Sequence, residues 1–393
     1  MLPKPAVLGG SPLADPPIRL VRPVLPAFVD MQNDVAETLA SGMVTKGMYL
    51  TAFEQAVAEH LEVAHAVAVS SCTAGLALIY RALGLNGPVI VPSFTFMATV
   101  SALIWAGATP RFVEIDPATT NIDPAAVRAA LTPDVVGIVG VHNFGNPADI
   151  NALQSIAADA GIPLVFDAAH GFGALFQGRP VGGFGAAESF SLSPTKLLIA
   201  GEGGIVATND AELARRIRVG REYGNDGKYG TEFAGLNARM PEYNAILGRY
   251  SLAQLETAAS NRVHYAAAYR ERLSALAGLG FQSVRAGDRC SYKDFSITVD
   301  GAEFGLSRDE LARALAAEGI DSRAYYDPPV HRHAAYAAYA PPADALPKTD
   351  WLAATSLSLP IHSQMDEITI DLVCTAIQRI QAHAPSIRSA ARS

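Results

Sequence analysis

The sequence predicts an α/β protein whose central sheet is mostly parallel, with helices on both faces, and whose C-terminal part forms a small α+β domain. Two observations support this class. Apolar runs such as 135–141 and 164–167 alternate with helical segments such as 147–160, as parallel strands and their crossover helices do. The chain of 393 residues is also longer than one typical domain, which favours a large domain with a smaller one appended.

The predicted domains follow from composition along the chain. Residues 1–30 are rich in proline and are expected to form an extended N-terminal arm, with no basic-then-apolar stretch of the kind that directs secretion. Residues 31–265 carry the alternating strands and helices of the large domain. Residues 266–393 follow a change in composition and are assigned to the small domain. The functional site is therefore expected in the large domain.

Local patterns place the elements of the large domain in order. Helices are expected at 30–41 and 54–61, before the first strand. Short apolar or β-branched runs then predict six strands, at 64–70, 88–92, 109–114, 135–141, 164–167 and 189–192. A single long helix is predicted over 243–269.

The small domain shows a different alternation. Strands are predicted at 295–299, 321–325 and 356–360, and helices at 306–318 and 368–382. This order is typical of an α+β unit, because strands and helices do not alternate as regular crossover units.

Charge and cysteine content exclude several classes of function. The formal net charge is −8, so the chain has no excess of positive charge to attract nucleic acid or an anionic membrane surface. The sequence contains no run of eighteen apolar residues, so no membrane span is expected. The three cysteines, Cys72, Cys290 and Cys374, lie far apart without the spacing of a zinc site, so no metal is expected. A reducing cytoplasm is the expected location.

One lysine and one aspartate suggest the chemistry. Lys196 lies between apolar neighbours with no carboxylate within two positions, and such a lysine is costly to bury unless its amine is neutral or covalently used. Asp167 ends the apolar strand at 164–167, at the strand end where open α/β sheets place their ligands. This pair is what pyridoxal phosphate needs, because the lysine forms a Schiff base and the carboxylate keeps the pyridine nitrogen protonated.

Three segments around this pair carry a family resemblance. They read Phe166-Asp-Ala-Ala-His170, then Ser191-Leu-Ser-Pro-Thr-Lys196 followed by Gly201-Glu-Gly-Gly204, and then Gly235-Leu-Asn-Ala-Arg-Met240. In this order they resemble the DegT/DnrJ/EryC1/StrS family of sugar aminotransferases, which are fold-type I pyridoxal-phosphate enzymes acting on nucleotide-linked keto sugars. The resemblance covers the chain from about the thirties to about the three-sixties. It implies that the large domain binds pyridoxal 5′-phosphate, with Lys196 and Asp167 as catalytic residues.

The resemblance also assigns residues that hold the cofactor. It implies that Thr73 and Ala74, at the start of a helix, and Ser191 hold the cofactor phosphate, that Phe96 stacks on the pyridine ring, and that His170 lies beside the phenolic oxygen. Cys72 stands where the family usually has glycine, which puts the close approach of the backbone there in question. Local sequence alone is equally consistent with an ordinary N-cap before Thr73 and with a core histidine at His170.

Four further residues are assigned by the resemblance to a second chain or to the substrate. It implies that Asn237 crosses the interface of a homodimer to the partner's cofactor phosphate, so that the two active sites are shared, and that Arg239 lies close by and contacts the substrate. Tyr325 and His331 match a segment that lies near the substrate. A helix-start cap for Asn237 and a solvated loop position for His331 remain open on local sequence.

The implied activity is amino transfer from L-glutamate to a nucleotide-linked keto sugar. The motifs Asp-Ala-Ala-His, Ser-Pro-Thr-Lys and Gly-Glu-Gly-Gly look most like those of members that aminate C4 of a dTDP-4-keto-6-deoxyhexose, with amination at C3 of a dTDP-3-keto-6-deoxyhexose as the alternative. A third hypothesis is a pyridoxal-phosphate-dependent sugar dehydratase, against which Lys196 argues because similar dehydratases have histidine there. A fourth is a non-catalytic regulator that binds the cofactor, which the intact Lys196, Asp167 and Ser191 disfavour.

Overall fold

A seven-stranded sheet forms the centre of the molecule in the computed structural model, which describes residues 3–390. In chain order the strands of this sheet are β1 (His65–Val69), β2 (Pro88–Pro92), β3 (Thr109–Val113), β4 (Gly137–Val141), β5 (Leu164–Asp167), β8 (Ala187–Ser191) and β9 (Gly204–Thr208). Between β5 and β8 the short strands β6 (Leu175–Phe176) and β7 (Arg179–Pro180) form a separate ribbon. The order of strands across the sheet is β1-β9-β8-β5-β4-β2-β3.

The sheet is mostly parallel, as predicted. Strands β2, β3, β4, β5 and β8 pair in parallel, whereas β9 runs antiparallel between β1 and β8. The carboxyl ends of β2, β5 and β8 therefore meet at one edge of the sheet, where ligands bind in open α/β folds. Strand β9 was not among the predicted strands.

Helices cover both faces of this sheet. The helices of the first two thirds of the chain are α1 (Phe28–Ser41), α2 (Met48–His60), α3 (Cys72–Ala82), α4 (Ala98–Trp105), α5 (Pro124–Ala130), α6 (Ile150–Ala160), α7 (Ala211–Gly220), α8 (Glu242–Leu252) and α9 (Leu255–Leu273). Apolar side chains from the helices and from the two faces of the sheet form two buried clusters, one on each side, so the sheet is the middle layer of the large domain.

A second, antiparallel sheet lies in the C-terminal part, as the α+β prediction requires. It consists of β10 (Leu279–Phe281), β11 (Phe295–Val299) and β12 (Ser356–Leu359) in that order. The helices of this part are α10 (Gly301–Phe304), α11 (Arg308–Ala317), α12 (Pro347–Thr355), α13 (Glu367–Ala382) and α14 (Ala384–Ala390).

Two predicted elements are wrong in detail. The single helix predicted over 243–269 is two helices, α8 and α9, separated at Ala253 and Gln254. Neither residue is glycine or proline, so the local sequence carries no signal for the break. The strand predicted at 321–325 is not formed, because only Arg323 pairs with a neighbouring strand, in an isolated bridge to Ser358. The chain leaves the small sheet there and continues to Tyr325 and Tyr326 at the site.

The N-terminal segment packs on the small domain. Ile18 forms a bridge with Ile320, and the backbone N–H of Ala14 donates to the carbonyl of Glu318 at 3.0 Å. The buried Glu318 carboxylate also binds Arg379 of α13. Helix α9 runs across position 265, and its later residues join the buried cluster of the small domain. The division of the chain at 30 and 265 therefore stays a prediction.

Within residues 3–390 no helix combines the length and the hydropathy that a membrane span requires.

Candidate active site

A cavity of about 340 Å³ opens where the carboxyl ends of β5 and β8 meet the N-terminal end of α3. Its lining includes most of the residues predicted for the site, namely Thr73, Phe96, Asp167, His170, Ser191, Lys196 and Tyr325. Ala74 is next to Thr73 in α3. Asn237, Arg239 and His331 do not line the cavity.

Asp167 forms the buried, negatively charged end of the cavity. It is the last residue of β5 and is 4% exposed. Its Oδ2 accepts a hydrogen bond from Thr99 Oγ1 at 2.7 Å, and its Oδ1 accepts from the backbone N–H of Ala169 at 3.0 Å. Burial raises the pKa of Asp167, and the hydrogen bond from Thr99 opposes that rise. Within residues 3–390 this carboxylate forms no ion pair, so it is available to pair with a positively charged group of a ligand.

Lys196 lies in the turn after β8 and lines the same cavity. Its backbone N–H donates to the carbonyl of Ser193 at 3.0 Å, whereas its amine makes no hydrogen bond or ion pair in the described part of the chain. Burial lowers the pKa of Lys196 to about 8, and the positive charge of Lys293 is the next cause. A substantial fraction of this amine is therefore neutral near physiological pH, as a nucleophile requires.

The start of α3 supplies polar groups beside these two residues. Ser71 is the N-cap, and its Oγ accepts from the backbone N–H of Ala74 at 3.1 Å. The N-cap alternative is therefore present, but at Ser71, which leaves the hydroxyl of Thr73 at the cavity. Ser191 Oγ contacts Ser193 Oγ at 3.4 Å on the facing turn. Hydroxyls and a helix N-terminus at one place suit a phosphate group.

The side chain of Cys72 packs between β8 and Asp167. Its Sγ lies 3.3 Å from the carbonyl oxygen of Ser189 and 3.8 Å from Asp167 Oδ1. Burial raises the pKa of its thiol well above the ordinary value, so the group stays neutral. The side chain that replaces the family's glycine is thus turned toward the sheet.

The Gly-Glu-Gly-Gly turn packs tightly against the same corner. Gly201 has a φ of +79°, a conformation that other residues rarely adopt. A Cβ on Gly204, where β9 begins, would lie 2.5 Å from the backbone nitrogen of Cys72. Glycine at this position therefore lets β9 run close to the start of α3.

Phe96 and His170 occupy the positions predicted for cofactor contacts. Phe96 follows β2 and is 50% exposed at the cavity, whereas Phe94 is fully buried in the core. A half-exposed aromatic ring at a cavity can stack on a planar ligand. Burial lowers the pKa of His170 well below its ordinary value, and the nearby positive charges of Lys196 and Lys293 add to this. His170 is therefore a neutral imidazole here.

Tyr325 lines the cavity, and His331 does not. The Tyr325 ring faces the ammonium of Lys293, with 5.6 Å from Nζ to the ring centroid. His331 is 4% exposed, and its Nδ1 and Nε2 lie 2.7 Å from Ser93 Oγ and 3.2 Å from Asp350 Oδ1. Both ring nitrogens are engaged inside the protein, so the solvated-loop alternative is wrong, and its contact with substrate stays a prediction without geometric support.

Asn237 and Arg239 lie on a different surface. Asn237 is exposed and forms an isolated bridge with Glu222. Arg239 Nη1 lies 3.2 Å from a carboxylate oxygen of Glu222, and its guanidinium stacks over the ring of Tyr223 at 5.3 Å. These residues do not meet Lys196 within one chain, so their predicted roles require a second chain.

The cavity also contains residues that sequence reasoning did not identify. The most prominent are Lys293 and Asp294, which precede β11 and are both buried at its wall. Tyr326 and Glu202 line it as well. An adjacent Lys-Asp pair before a strand could have drawn attention, but nothing in the local sequence indicated that it would face Lys196.

The residues present fit pyridoxal 5′-phosphate. A buried carboxylate with no cationic partner among residues 3–390 suits a protonated pyridine nitrogen, and the unpaired amine of Lys196 suits the aldehyde. The hydroxyls near the start of α3 suit the phosphate, and the ring of Phe96 suits the face of the pyridine. The cavity volume lies within the range of small-molecule sites.

Comparisons with known proteins agree with the assignment of these residues to a pyridoxal-phosphate site. The model of the DegT/DnrJ/EryC1/StrS aminotransferase family matches residues 29–378. The dTDP-3-amino-3,4,6-trideoxy-alpha-D-glucose transaminase of Streptomyces venezuelae is 38% identical over 336 residues, which cover 84% of this chain and 87% of that protein. The UDP-N-acetyl-3-dehydro-alpha-D-glucosamine 3-aminotransferase of Acidithiobacillus ferrooxidans is 37% identical over 331 residues, covering 84% of this chain and 87% of that protein.

A solved structure matches nearly the whole fold. The crystal structure of DesI in the presence of its TDP-sugar product superposes with a TM-score of 0.93 at 37% sequence identity, covering 99% of both chains. The family match spans most of the chain, including Asp167, Lys196 and the rest of the cavity from the large domain. The chain belongs to the DegT/DnrJ/EryC1/StrS aminotransferase family and is a pyridoxal-phosphate-dependent aminotransferase.

Proposed function

We propose that this aminotransferase moves an amino group from L-glutamate to a keto sugar that is linked to a nucleotide. The observation that supports it most is the convergence of Lys196 and Asp167 on one cavity that also has hydroxyls, an aromatic ring and a pair of tyrosines. Relatives whose names specify dTDP-linked and UDP-linked amino sugars, and a similar structure with a TDP-sugar product, support the sugar as acceptor.

Lys196, Asp167 and Phe96 each have a definite task in this proposal. When bound, pyridoxal phosphate supplies an electron sink for the negative charge left at carbon after proton loss. Lys196 Nζ would hold the cofactor and, once free, accept and return a proton at the substrate carbon. Asp167 would hold the positive charge on the ring nitrogen, and Phe96 would fix the ring plane. Donor and sugar use the same cavity in turn, so ping-pong kinetics are expected.

We further propose that the active sites are shared in a homodimer. Asn237 is exposed and Arg239 is oriented by Glu222 and Tyr223, away from the cavity of their own chain. In the dimer these residues would reach the partner's cofactor phosphate and substrate. A positively charged group at that place suits a nucleotide diphosphate, because the chain as a whole has a formal net charge of −8 and must attract anions locally.

The proposed position of amination is C4 of a dTDP-4-keto-6-deoxyhexose. The support for C4 is the sequence of the motifs Asp-Ala-Ala-His, Ser-Pro-Thr-Lys and Gly-Glu-Gly-Gly. The similarity to a structure with a TDP-sugar product supports the nucleotide. Amination at C3 is the second candidate, because the names of two relatives specify that position.

The three buried, unpaired cysteines support a reducing compartment, and we propose the cytoplasm as the location.

A two-step experiment tests the proposal. The visible absorbance band of the protein loaded with pyridoxal phosphate should bleach when L-glutamate is added, and 2-oxoglutarate should appear. The bleached protein should then regain its band with dTDP-4-keto-6-deoxyglucose, whereas the 3-keto isomer should restore it more slowly. Bleaching without recovery on either sugar would overturn the substrate, and loss of water without amine in the product would indicate a dehydratase.

A further inference from the structure

A second lysine lies in the active-site cavity, close to the one that carries the cofactor. Lys293 is 4% exposed and lines the same cavity as Lys196. Its Nζ lies 2.8 Å and 3.0 Å from the two carboxylate oxygens of Asp294, which is 3% exposed. A buried ion pair contributes little net stability, because the cost of desolvating both charges offsets their attraction.

The position of Lys293 is strongly constrained. Its backbone N–H donates to the carbonyl of Phe144 at 2.9 Å, and its own carbonyl accepts from Nη1 of the buried Arg262 at 2.9 Å. Its ammonium faces the ring of Tyr325. Hydrogen bonds therefore hold the backbone of Lys293, and Asp294 and Tyr325 hold its ammonium group, so the positive charge stays at one place in the cavity wall.

The nearby carboxylates of Asp294 and Asp167 are paired or hydrogen-bonded with groups other than Lys196. Both oxygens of Asp294 bind Lys293, and both oxygens of Asp167 accept hydrogen bonds from Thr99 and Ala169. The amine of Lys196 consequently shares a cavity of about 340 Å³ with a fixed positive charge and forms no ion pair among residues 3–390.

We propose that Lys293, held by Asp294, is a positioning residue that favours the unprotonated form of the Lys196 amine, which is the form that acts as nucleophile and base. The physical reason is repulsion between like charges in a medium of low dielectric constant, which favours the neutral form of the second amine. The inference rests on the proposed function in one respect, because it gives Lys196 the chemical role described above.

The other groups around Lys196 do not supply this positive charge. His170 is neutral, since burial and neighbouring charges lower its pKa, and Cys72 is a neutral thiol for the reason given above. Burial raises the pKa of Tyr325 and of Tyr326, so both phenols are neutral. The carboxylates of Asp294 and Asp167 act in the opposite direction, as would that of Glu202 in the same cavity wall. The pKa of Lys196, about 8, reflects burial first and Lys293 second.

The test measures the protonation of Lys196 directly. The full-length chain, freed of cofactor, is treated with a limiting amount of an amine-reactive acetyl ester at a series of pH values, and acetylation of Lys196 is followed by peptide mass spectrometry. Only the neutral amine reacts, so the rate should rise with a midpoint near pH 8 in the wild type. Surface lysines such as Lys4 and Lys228 serve as internal references.

Opposite shifts are expected from the two members of the pair. Lys293→Met removes the like charge and frees Asp294, so the midpoint should rise by about one pH unit or more. Asp294→Asn leaves the positive charge uncompensated, so the midpoint should fall. The double variant loses both charges, so its midpoint should lie between those of the two single variants and above that of the wild type, because Lys293 affects Lys196 more than Asp294 does. Lys293→Arg keeps the charge and should leave the midpoint in place.

Other results would overturn the proposal. If every variant has the wild-type midpoint, or if both single variants shift the midpoint in the same direction, the pair has only a structural role. Thermal unfolding of each variant identifies general loss of structure, and Lys293→Gln replaces any Lys293→Met protein that does not fold. If the midpoints shift as expected but the wild type forms no visible band with pyridoxal phosphate, the proposed function fails and this inference stands.

Discussion

The active-site cavity and the surface around Asn237 differ in one respect: a single chain brings the cavity residues together, whereas the role predicted for Asn237 needs a second chain. In the cavity, Asp167, Lys196 and Phe96 come from three separate segments and meet at one edge of the sheet. At the other surface, Asn237 is exposed, and among residues 3–390 Arg239 contacts Glu222 and Tyr223 of its own loop. Parallel strands run in the same direction, so their carboxyl ends lie at one edge of the sheet, whereas a contact across an interface needs the second chain.

The difference has a practical meaning for function. Substitutions of the cavity residues should act on the site of the chain that carries them, because these side chains meet within one chain. Substitutions at Asn237 should act on the partner's site instead. The two regions can therefore be separated by experiment, and the effects below are ordered from the largest to the smallest.

Lys196→Ala should have the largest effect. Without its amine there is no group to hold the cofactor covalently or to move the proton, so turnover should fall by about 10⁴-fold or more. Steady-state kinetics with L-glutamate measure this loss, and a Lys196→Arg protein, which keeps a positive charge, should be as inactive. Substantial turnover in either variant would show that another residue, such as Lys293, can replace it.

Asp167→Asn should reduce turnover by about 10²- to 10³-fold, because a neutral amide does not stabilise the positive charge on the ring nitrogen. The hydroxyl of Thr99 and the N–H of Ala169 remain as partners, so the protein should fold normally. Single-turnover absorbance changes with L-glutamate separate this chemical step from cofactor binding. Unchanged turnover would contradict the role of the carboxylate.

Asn237→Ala distinguishes a shared site from a self-contained one. It should weaken the binding of pyridoxal phosphate by about tenfold if Asn237 reaches the partner's cofactor, as expected for one hydrogen bond to a charged group. Titration of the cofactor, followed by its absorbance, measures this change. A dissociation constant equal to that of the wild type would contradict the predicted contact.

Mixing two variants then shows which chain Asn237 serves. After subunit exchange between equal amounts of Asn237→Ala and Lys196→Ala chains, about half the dimers are mixed, and each has one site with both Lys196 and the partner's Asn237. About a quarter of all sites should therefore turn over with the wild-type affinity for the cofactor. Activity that never exceeds the sum of the two separate proteins, at a cofactor concentration that leaves Asn237→Ala mostly unloaded, would refute shared sites.

Phe96→Leu should have the smallest effect of the four. Loss of stacking should weaken cofactor binding by a factor of about two to ten while leaving the protein as stable as the wild type. Phe94→Leu is the matched control, because Phe94 is fully buried and Phe96 is 50% exposed. The control should lower the melting temperature and leave the dissociation constant of the cofactor nearly unchanged. The opposite pattern would place the stacking ring at Phe94.

Much of the fold was predictable because it rests on local patterns. Apolar runs of strand length and amphipathic helices indicated the parallel sheet, and most strands of the large domain lie within a few residues of their predicted bounds. The interruption at Ala253 and Gln254 and the missing strand at 321–325 were not predictable, because neither depends on a residue that breaks or forms the element locally.

The residues that carry the proposed chemistry were determined by the sequence alone. Lys196 stands without a nearby carboxylate in an apolar segment, and Asp167 ends an apolar strand, so the rules of open parallel sheets bring both to the same edge. Only the tertiary structure decided which residues of the C-terminal part join them. It placed Lys293 and Asp294 in the cavity wall and buried His331 against Ser93 and Asp350. These placements depend on how the small domain packs over the sheet, and contacts between segments so far apart leave no periodic signal along the chain.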